Sequence, residues 1–395
     1  MKPRLSASTL ASALACSLAG ALGIAPAAHA STGVQLYGSI DLGVTHFSGL
    51  APSSGGSAGQ TVSTTGLSSG GQSASRIGIS GSEDLGDGVV ALFRAETGFC
   101  ATGGQVGASA TGFAGRASAG DSAYCSGTGF MGRQDYIGLA GHFGTFLAGR
   151  LMNLAYLNEK AADPFAMGMT GNYNNINTEL SGAALETNQT LAYVSPAFHG
   201  LDTTLGYAFN VLPDYYIVTA THQQQNAVKT WVAGLNYRAG GAFAAVDFQL
   251  LDDFVAPPGG NGMQTGALKR YQVSGGYDFG MLKLSALYGH TQMDYFSGDN
   301  TSWLLGATIP LGAGDILASL DESKFGLGDP AAPRAKQYAI GYTYSLSKRT
   351  NLYASYAHVS NDVGSTRAVG DATDGFTGVS GQDSTGMALG IRHDF

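Results

Sequence analysis

Charged residues are scarce in this sequence: Asp, Glu, Lys and Arg together make up only 12% of its 395 residues. Long apolar runs are scarce too, because after residue 30 no stretch reaches the roughly 20 residues of a membrane-spanning helix. A sustained helical period is also missing beyond that point. Yet 44% of the residues are hydrophobic. Something other than helices must therefore bury the apolar side chains.

Motifs of several catalytic and metal-binding classes are absent as well. The sequence has no His-Glu-x-x-His, no Cys-x-x-Cys and no glycine-rich loop that ends in Lys-Ser or Lys-Thr. The histidines are scattered and lack the spacing of metal ligands. We therefore predict that the protein is not an enzyme and that it uses neither a cofactor nor a metal.

The first 30 residues predict a secretory signal peptide. Lys2 and Arg4 provide a positive start, an Ala- and Leu-rich run follows, and residues 28–30 form a small-x-small cleavage site before Ser31. Removal of the two basic residues takes the net charge from −8 to −10. An acidic chain of this kind argues against nucleic acid as a partner.

Cysteine is rare, and only two of the three cysteines remain after the signal peptide. Cys100 and Cys125 lie in the same predicted loop, and export to an oxidising compartment permits a disulfide. The sequence therefore predicts a Cys100–Cys125 bridge, with two free thiols as the alternative. A mass lower by two hydrogens than that of the reduced chain would identify the bridge.

In the mature chain, apolar residues alternate with polar ones. In the first segment Val34, Leu36 and Ile40 alternate with polar residues that include Ser39 and Asp41. The same period of two returns around residues 205–211, 231–237, 271–279, 303–309 and 338–346. This period is typical of a β-strand with one apolar and one polar face.

The connections between these segments alternate in length. Seven short turns, rich in Gly, Pro, Asp and Ser, lie at residues 83–88, 141–144, 195–200, 238–241, 278–281, 310–314 and 345–350. Eight other connections, most of them longer, lie at residues 48–71, 101–129, 153–186, 212–226, 253–268, 295–298, 326–333 and 362–383. These 15 connections join 16 predicted strands.

An even number of strands, joined by short turns at one end and by mostly longer loops at the other, predicts an all-β fold. The predicted architecture is a 16-stranded antiparallel transmembrane β-barrel. Closure pairs every backbone group in the absence of water, and 16 strands leave an aqueous channel inside. Aromatic residues near the strand ends, among them Tyr37, Phe47, Tyr207 and Phe395, fit the girdles of such barrels.

The connection from Asn153 to Glu186 is unusual because its 34 residues show no clean period. A loop this long inside a compact domain is either functional or a sign that the strands have been assigned wrongly. We predict that it folds into the barrel and narrows the lumen. The position of Glu159 and Asp163 on this loop does not determine whether their side chains point into the lumen or away from it.

The alternation of apolar and polar residues also predicts which charged side chains face the lumen. Arg94 and Glu96 share the polar face of their strand, opposite Phe93 and its apolar neighbours. Arg150 lies just before the long loop and is predicted to point inward, although Phe146 shares its face. The alternative for each arginine is a position at the rim, in contact with water or lipopolysaccharide.

Four segments carry a family resemblance: residues 75–86 (SRIGISGSEDLG), 132–139 (GRQDYIGL), 345–350 (SLSKRT) and 390–395 (GIRHDF). Together they resemble the general diffusion porins of Gram-negative bacteria, in particular the β-proteobacterial and neisserial branch. The resemblance implies an outer-membrane homotrimer in which residues 31–395 form one barrel and the third outward loop is folded inside. It also implies passive diffusion of small hydrophilic solutes and ions. A channel whose constriction binds one specific solute is the alternative.

The resemblance implies roles for individual residues. Arg76 and Arg133 match wall positions whose basic side chains face acidic groups on the inserted loop. Phe395 resembles the C-terminal aromatic residue that the outer-membrane assembly machinery recognises, and the cysteine-containing loop resembles one that latches onto a neighbouring subunit. Outer-membrane lipid and lipopolysaccharide are the expected surroundings. The predicted pore-lining residues are Arg76, Arg94, Glu96, Arg133, Asp135, Arg150, Glu159, Asp163 and Glu186.

The sequence departs from the family pattern at two wall positions. Ser80 stands where Arg or Lys is common, and Glu186 stands where Arg usually precedes Asn188-Gln189-Thr190. The loss of two positive charges predicts a weakly selective pore that leans, if at all, to cations. A strong anion preference would contradict this expectation.

Overall fold

The computed structural model describes residues 33–52, 59–103, 131–177, 186–211, 216–218, 223–225, 228–256, 264–294, 299–327, 332–370 and 377–395. The predicted signal peptide and Cys125 lie outside the described residues, so the cleavage site and the disulfide stay predictions. Cys100 is buried.

The described residues contain nineteen strands and one α-helix. The strands are β1 (Gly33–Leu50), β2 (Val62–Ser69), β3 (Arg76–Gly86), β4 (Val89–Gly98), β5 (Asp135–Gly141), β6 (Gly144–Met152), β7 (Glu186–Val194), β8 (Leu201–Ala208), β9 (Tyr216–Val218), β10 (Gln223–Gln225), β11 (Lys229–Ala239), β12 (Ala242–Ala256), β13 (Gln264–Asp278), β14 (Lys283–Met293), β15 (Asp299–Leu311), β16 (Gly314–Leu327), β17 (Arg334–Ser345), β18 (Thr350–Asn361) and β19 (Ser384–Asp394). The helix is α1 (Leu154–Ala162), and a single 3-10 turn covers Tyr173–Asn175.

The strands form one closed antiparallel wall. β19 pairs with residues 39–48 of β1 and so joins the two ends of the sheet. β2 and β3 share one position in the wall, because β2 pairs with residues 42–50 of β1 and β3 pairs with residues 33–39. The β9–β10 pair forms a separate sheet. The barrel therefore has 16 strands, which confirms the prediction.

Alternation places the apolar side chains on the outside of the barrel. On β1, the exposed fractions of Val34 and Leu36 are 71% and 63%, whereas Ser39 and Asp41 are fully buried. This is the reverse of a soluble protein, in which apolar residues are buried and polar residues face water. The outer face therefore suits lipid, and the inner face suits a water-filled lumen.

Two of the predicted girdle aromatics point inward instead. The Tyr37 hydroxyl donates a hydrogen bond to Glu96 Oε2 at 3.0 Å, and Phe47 belongs to a buried cluster that includes Phe165. The girdle prediction is wrong for these two residues because both lie on the inward face of β1, which they share with Ser39 and Asp41. Phe395, in contrast, is exposed, and its backbone N–H donates to Gly38 O at 3.0 Å.

Several of the predicted loops contain regular structure, and one of them, 212–226, includes β9 and β10. β1 continues to Leu50, and its outer part supplies a partner for β2 within the predicted loop 48–71. α1 forms at the start of the predicted loop 153–186, where no helical period is visible in the sequence. Its polar residues Asn158, Glu159 and Lys160 are consecutive, so they point in different directions around the helix and do not form one polar face. Among the described residues, no helix is long and apolar enough to cross a membrane.

Candidate functional site

Helix α1 lies inside the barrel with its apolar side against β5 and β6. The Asn153 side chain caps the helix by accepting a hydrogen bond from Ala155 N at 3.0 Å. The helix then contributes two leucines to a buried cluster made of Tyr136, Leu147, Leu151, Leu154 and Leu157. Burial of one leucine side chain contributes about 1.5–3 kcal/mol. The cluster therefore holds the helix on one wall.

A side chain and a backbone carbonyl of α1 are hydrogen-bonded to β12 and β13. Asn158 Nδ2 donates to Asp247 Oδ2 at 2.8 Å. Gln272 Nε2 donates to the backbone oxygen of Ala155 at 3.1 Å and to Asp247 Oδ2 at 3.2 Å. All of these side chains are buried. Since a buried polar group is costly without a partner, these contacts fix the height and rotation of the helix.

Glu159 is part of the same attachment and does not face open lumen. Its carboxylate forms an ion pair with the Arg270 guanidinium of β13 and accepts a hydrogen bond from Asn177 Nδ2 at 3.3 Å. The side chains of Glu159 and Arg270 are only 4% and 3% exposed. The loop acid is thus neutralised by a wall arginine.

Asp163, just after the helix, also turns away from the lumen. Its two oxygens accept hydrogen bonds from the backbone N–H groups of Phe165 at 2.9 Å, Met167 at 3.0 Å and Tyr173 at 3.3 Å. Burial raises the pKa of Asp163 to about 7, although these three N–H groups act in the opposite direction. Asp163 therefore organises the turn that follows α1.

The turn carries the loop across to β15 and β17. A Cβ on Gly306 would lie 2.6 Å from the Pro164 ring, and one on Gly341 would lie 2.8 Å from the Phe165 ring. Only glycine leaves room for these rings on the two wall strands. The inserted segment is thus attached to opposite sides of the barrel and spans its interior.

Four of the predicted pore-lining residues form one cluster on the inner wall. Arg133 Nε donates to Glu96 Oε1 at 2.6 Å, and Arg76 Nε lies 3.5 Å from Glu96 Oε2. The Arg94 guanidinium lies over the Tyr37 ring, 5.2 Å from its centroid. Two arginines pair with one buried glutamate and a third lies over the tyrosine that donates to it, so the cluster carries a net positive charge.

Three other predicted residues lie at the base of the inserted loop. Arg150 Nη2 is 3.5 Å from Glu186 Oε2, and both side chains are about nine-tenths buried. Glu186 therefore neutralises Arg150. Asp135 is exposed and shares the face of Ile137 and Leu139, which points away from the lumen. The structure thus differs from the prediction for Asp135. The reason is that alternate residues of β5 face outward, and Asp135 is one of them.

Sequence analysis missed Lys160, which is the exposed side chain between the two buried loop acids. Exclusion of water by the wall and loop lowers the pKa of Lys160 to about 8, and repulsion from Arg76, Arg133 and Arg392 acts in the same direction. Attraction by Glu96 acts in the opposite direction. A signal exists in the sequence, because residues four apart share one face of a helix. If Glu159 and Asp163 anchor that face, Lys160 must point elsewhere.

Lys160 lines a cavity of about 270 Å³ between the inserted segment and the wall. Arg392 of β19 lies on the opposite side, where its guanidinium pairs with Asp394 at 2.9 Å. The full lining consists of Gln72, Ser73, Lys160, Pro164, Phe165, Ala166, Met169, Thr308, Asp315, Leu317, Thr343 and Arg392. Amides, hydroxyls, two cations and the carboxylate of Asp315 make this space suitable for water and small hydrophilic solutes. Within the described ranges, no group of acidic, His or Cys side chains could hold a metal ion.

A family model of Gram-negative porins matches residues 11–364, which is most of the chain. The chain belongs to the Gram-negative porin family. This porin is 29% identical to an outer membrane porin of Bordetella pertussis, over 96% of this chain and 99% of that protein. It is also 29% identical to outer membrane porin protein 32 of Delftia acidovorans, over 93% of this chain and 96% of that protein.

Among solved structures, the porin is similar to an anion-selective porin from Comamonas acidovorans. The TM-score is 0.73 and the sequences are 25% identical, over 92% of this chain and all of that chain. The family and these relatives are outer-membrane channels and not enzymes. The predictions of family, location and passive diffusion are therefore confirmed.

Proposed function

We propose that this porin is a diffusion channel whose constriction favours small hydrophilic anions over cations. The observation that carries the proposal is the arrangement of charge around the inserted segment. The loop acids Glu159 and Asp163 are buried in attachments, whereas Lys160 is exposed. Its main electrostatic neighbours on the wall are Arg76, Arg133 and Arg392, against the carboxylate of Glu96. Two further carboxylates are near: Asp394 pairs with Arg392, and Asp315 lines the same cavity.

This proposal reverses the lean to cations that Ser80 and Glu186 suggest. Glu186 adds little negative field in the lumen because it is paired with Arg150. A narrow passage bounded by a low-dielectric wall strengthens the field of the remaining charges. These are the exposed Lys160 and the excess of arginine over carboxylate around Glu96. The name of the similar solved porin supports the same direction.

The proposal includes residues 153–186 as the constriction loop and residues 1–30 as a signal peptide removed on export. Porins of this family generally form trimers, and we propose a homotrimer embedded in outer-membrane lipid and lipopolysaccharide. The C-terminal Phe395 is proposed as the signal for the assembly machinery. Detergent extraction followed by heat-modifiable migration at trimer size would test the assembly, and a heat-stable monomer would contradict it.

A planar-bilayer recording tests the ion preference. With a KCl gradient across the membrane, the sign of the reversal potential should indicate anion preference. Lys160→Glu should move it strongly towards cation preference, because the change reverses the charge beside three arginines. The matched control is Lys348→Glu, which makes the same change at an exposed turn residue and should leave the potential unchanged.

Cation preference in the wild-type channel, or equal effects of the two variants, would contradict the proposal. The alternative of a solute-specific channel makes a different prediction. Its conductance would saturate with one solute and be blocked by it, whereas simple diffusion gives conductance that rises with salt concentration.

A further inference from the structure

Residues 70–75 interrupt the wall between β2 and β3. Both strands pair with β1, β2 ending at Ser69 and β3 beginning at Arg76. The intervening residues leave the ladder and approach Asp41, a fully buried residue on the inner face of β1. The wall thus sends a second segment inward, in addition to the inserted loop.

Asp41 binds this segment through its backbone. Asp41 Oδ2 accepts hydrogen bonds from Gln72 N at 2.8 Å and Ser73 N at 2.7 Å. The other oxygen, Oδ1, accepts from the Tyr353 hydroxyl of β18 at 2.7 Å. Hydrogen bonds to an ionised carboxylate are about twice as strong as neutral ones. One side chain therefore joins the segment to two strands of the wall.

The segment also contacts the tip of the inserted loop directly. Met169 N donates to Gly71 O at 2.5 Å. A Cβ on Gly168 would lie only 2.0 Å from Gln72 O, so the two backbones are in close contact. The Gln72 side chain accepts a hydrogen bond from Asn351 Nδ2 at 2.7 Å and lines the same cavity as Lys160.

The segment orients one of the wall cations as well. Arg76 Nη1 donates to Ser73 Oγ at 2.8 Å and to Ala74 O at 3.0 Å, while its Nε faces Glu96. The position of this guanidinium therefore depends on the conformation of residues 70–75.

From these contacts we infer that residues 70–75 form a second wall of the constriction and that Asp41 and Tyr353 are its positioning residues. The size limit of the channel then depends on two buried side chains that a passing solute does not touch. The inference rests on the diffusion function but not on the sign of the ion preference. A size measurement with neutral solutes therefore separates the two.

The test compares Asp41→Ala and Tyr353→Phe in the full-length protein. Asp41→Ala removes all three acceptor contacts, whereas Tyr353→Phe removes one and leaves the charge of Asp41 in place. Both should admit larger neutral sugars in liposome swelling and raise single-channel conductance, with Asp41→Ala having the larger effect. Heat-modifiable migration of each variant confirms that the barrel has folded.

Asp202→Ala is the matched control. Asp202 is a buried acid on β8 whose Oδ1 accepts a hydrogen bond from Asn236 Nδ2 of β11 at 2.9 Å, so this bond joins two strands of the wall. Asp202→Ala removes the same charge as Asp41→Ala. It should therefore shift the ion preference without changing the size limit for sugars. An unchanged size limit in the folded Asp41→Ala and Tyr353→Phe proteins would overturn the inference, as would an equal change in the control.

Discussion

Raising the pH should weaken the anion preference through Lys160. Because its pKa is lowered to about 8, this lysine is about nine-tenths protonated at pH 7 and about one-tenth protonated at pH 9. The charged form is the one present below the pKa. The channel therefore loses most of one positive charge over these two pH units, while the neighbouring arginines remain charged.

The size of the effect follows from Coulomb's law. A unit charge about 7 Å from a passing ion changes the energy of that ion by about 0.6 kcal/mol in bulk water. The charge stabilises an anion and destabilises a cation by this same energy, so the free-energy difference between the two ions is twice as large. Screening at 0.1 M salt reduces that difference by about half. Because about 0.8 of a unit charge is lost, the anion-to-cation permeability ratio should fall about twofold between pH 7 and pH 9.

The assay is the reversal potential in a fixed KCl gradient, measured at pH 7, 8 and 9. The matched variant is Lys160→Arg, which keeps its charge at pH 9 because the guanidinium pKa exceeds 12. Its permeability ratio should stay near the pH 7 value of the wild type. A wild-type ratio that does not change with pH, or an equal fall in Lys160→Arg, would refute the assignment of the titrating charge to Lys160.

Two further predictions concern stability. Arg270→Met leaves the buried carboxylate of Glu159 without its partner and should destabilise the loop attachment by about 3–5 kcal/mol; thermal denaturation should show the loss, and addition of Glu159→Gln should recover part of it. Ile137→Lys places a charge on the lipid-facing side, where the native side chain is 64% exposed, and should cost about 2–4 kcal/mol at mid-membrane depth. Denaturant titration should detect that cost, and Ser347→Lys in an exposed turn should have little effect.

The barrel could be predicted because its signals are local and repeated. Each strand shows a period of two, and each short turn has its own turn residues, so the number of strands follows from the sequence. β2 could not be predicted in this way, because Val62–Ser69 forms a strand only by pairing with the outer part of β1. α1 was missed for a different reason. Its three polar residues are consecutive and point in different directions, so they do not form the single polar face by which a helix is normally found.

The site could be predicted on the wall more easily than on the loop. Alternation correctly groups Arg94 with Glu96, and the same rule applied to Ile137 and Leu139 would have placed Asp135 outside. The direction of Glu159 could not be predicted in this way, because its partner Arg270 lies 111 residues further along the chain. On an inserted loop, side-chain direction is set by contacts with distant strands.

The same physical requirement accounts for both the anchored loop and its cationic surface. An inserted segment with little regular structure brings backbone N–H groups into the barrel, and buried N–H groups need acceptors. Carboxylates supply them: Asp41 accepts from two such groups and Asp163 from three. Lys160 cannot accept hydrogen bonds, so it is not used in these attachments and faces the water. A chain with a net charge of −8 can thus surround its narrowest passage with positive charge, because its acids there are used to hold the passage in place.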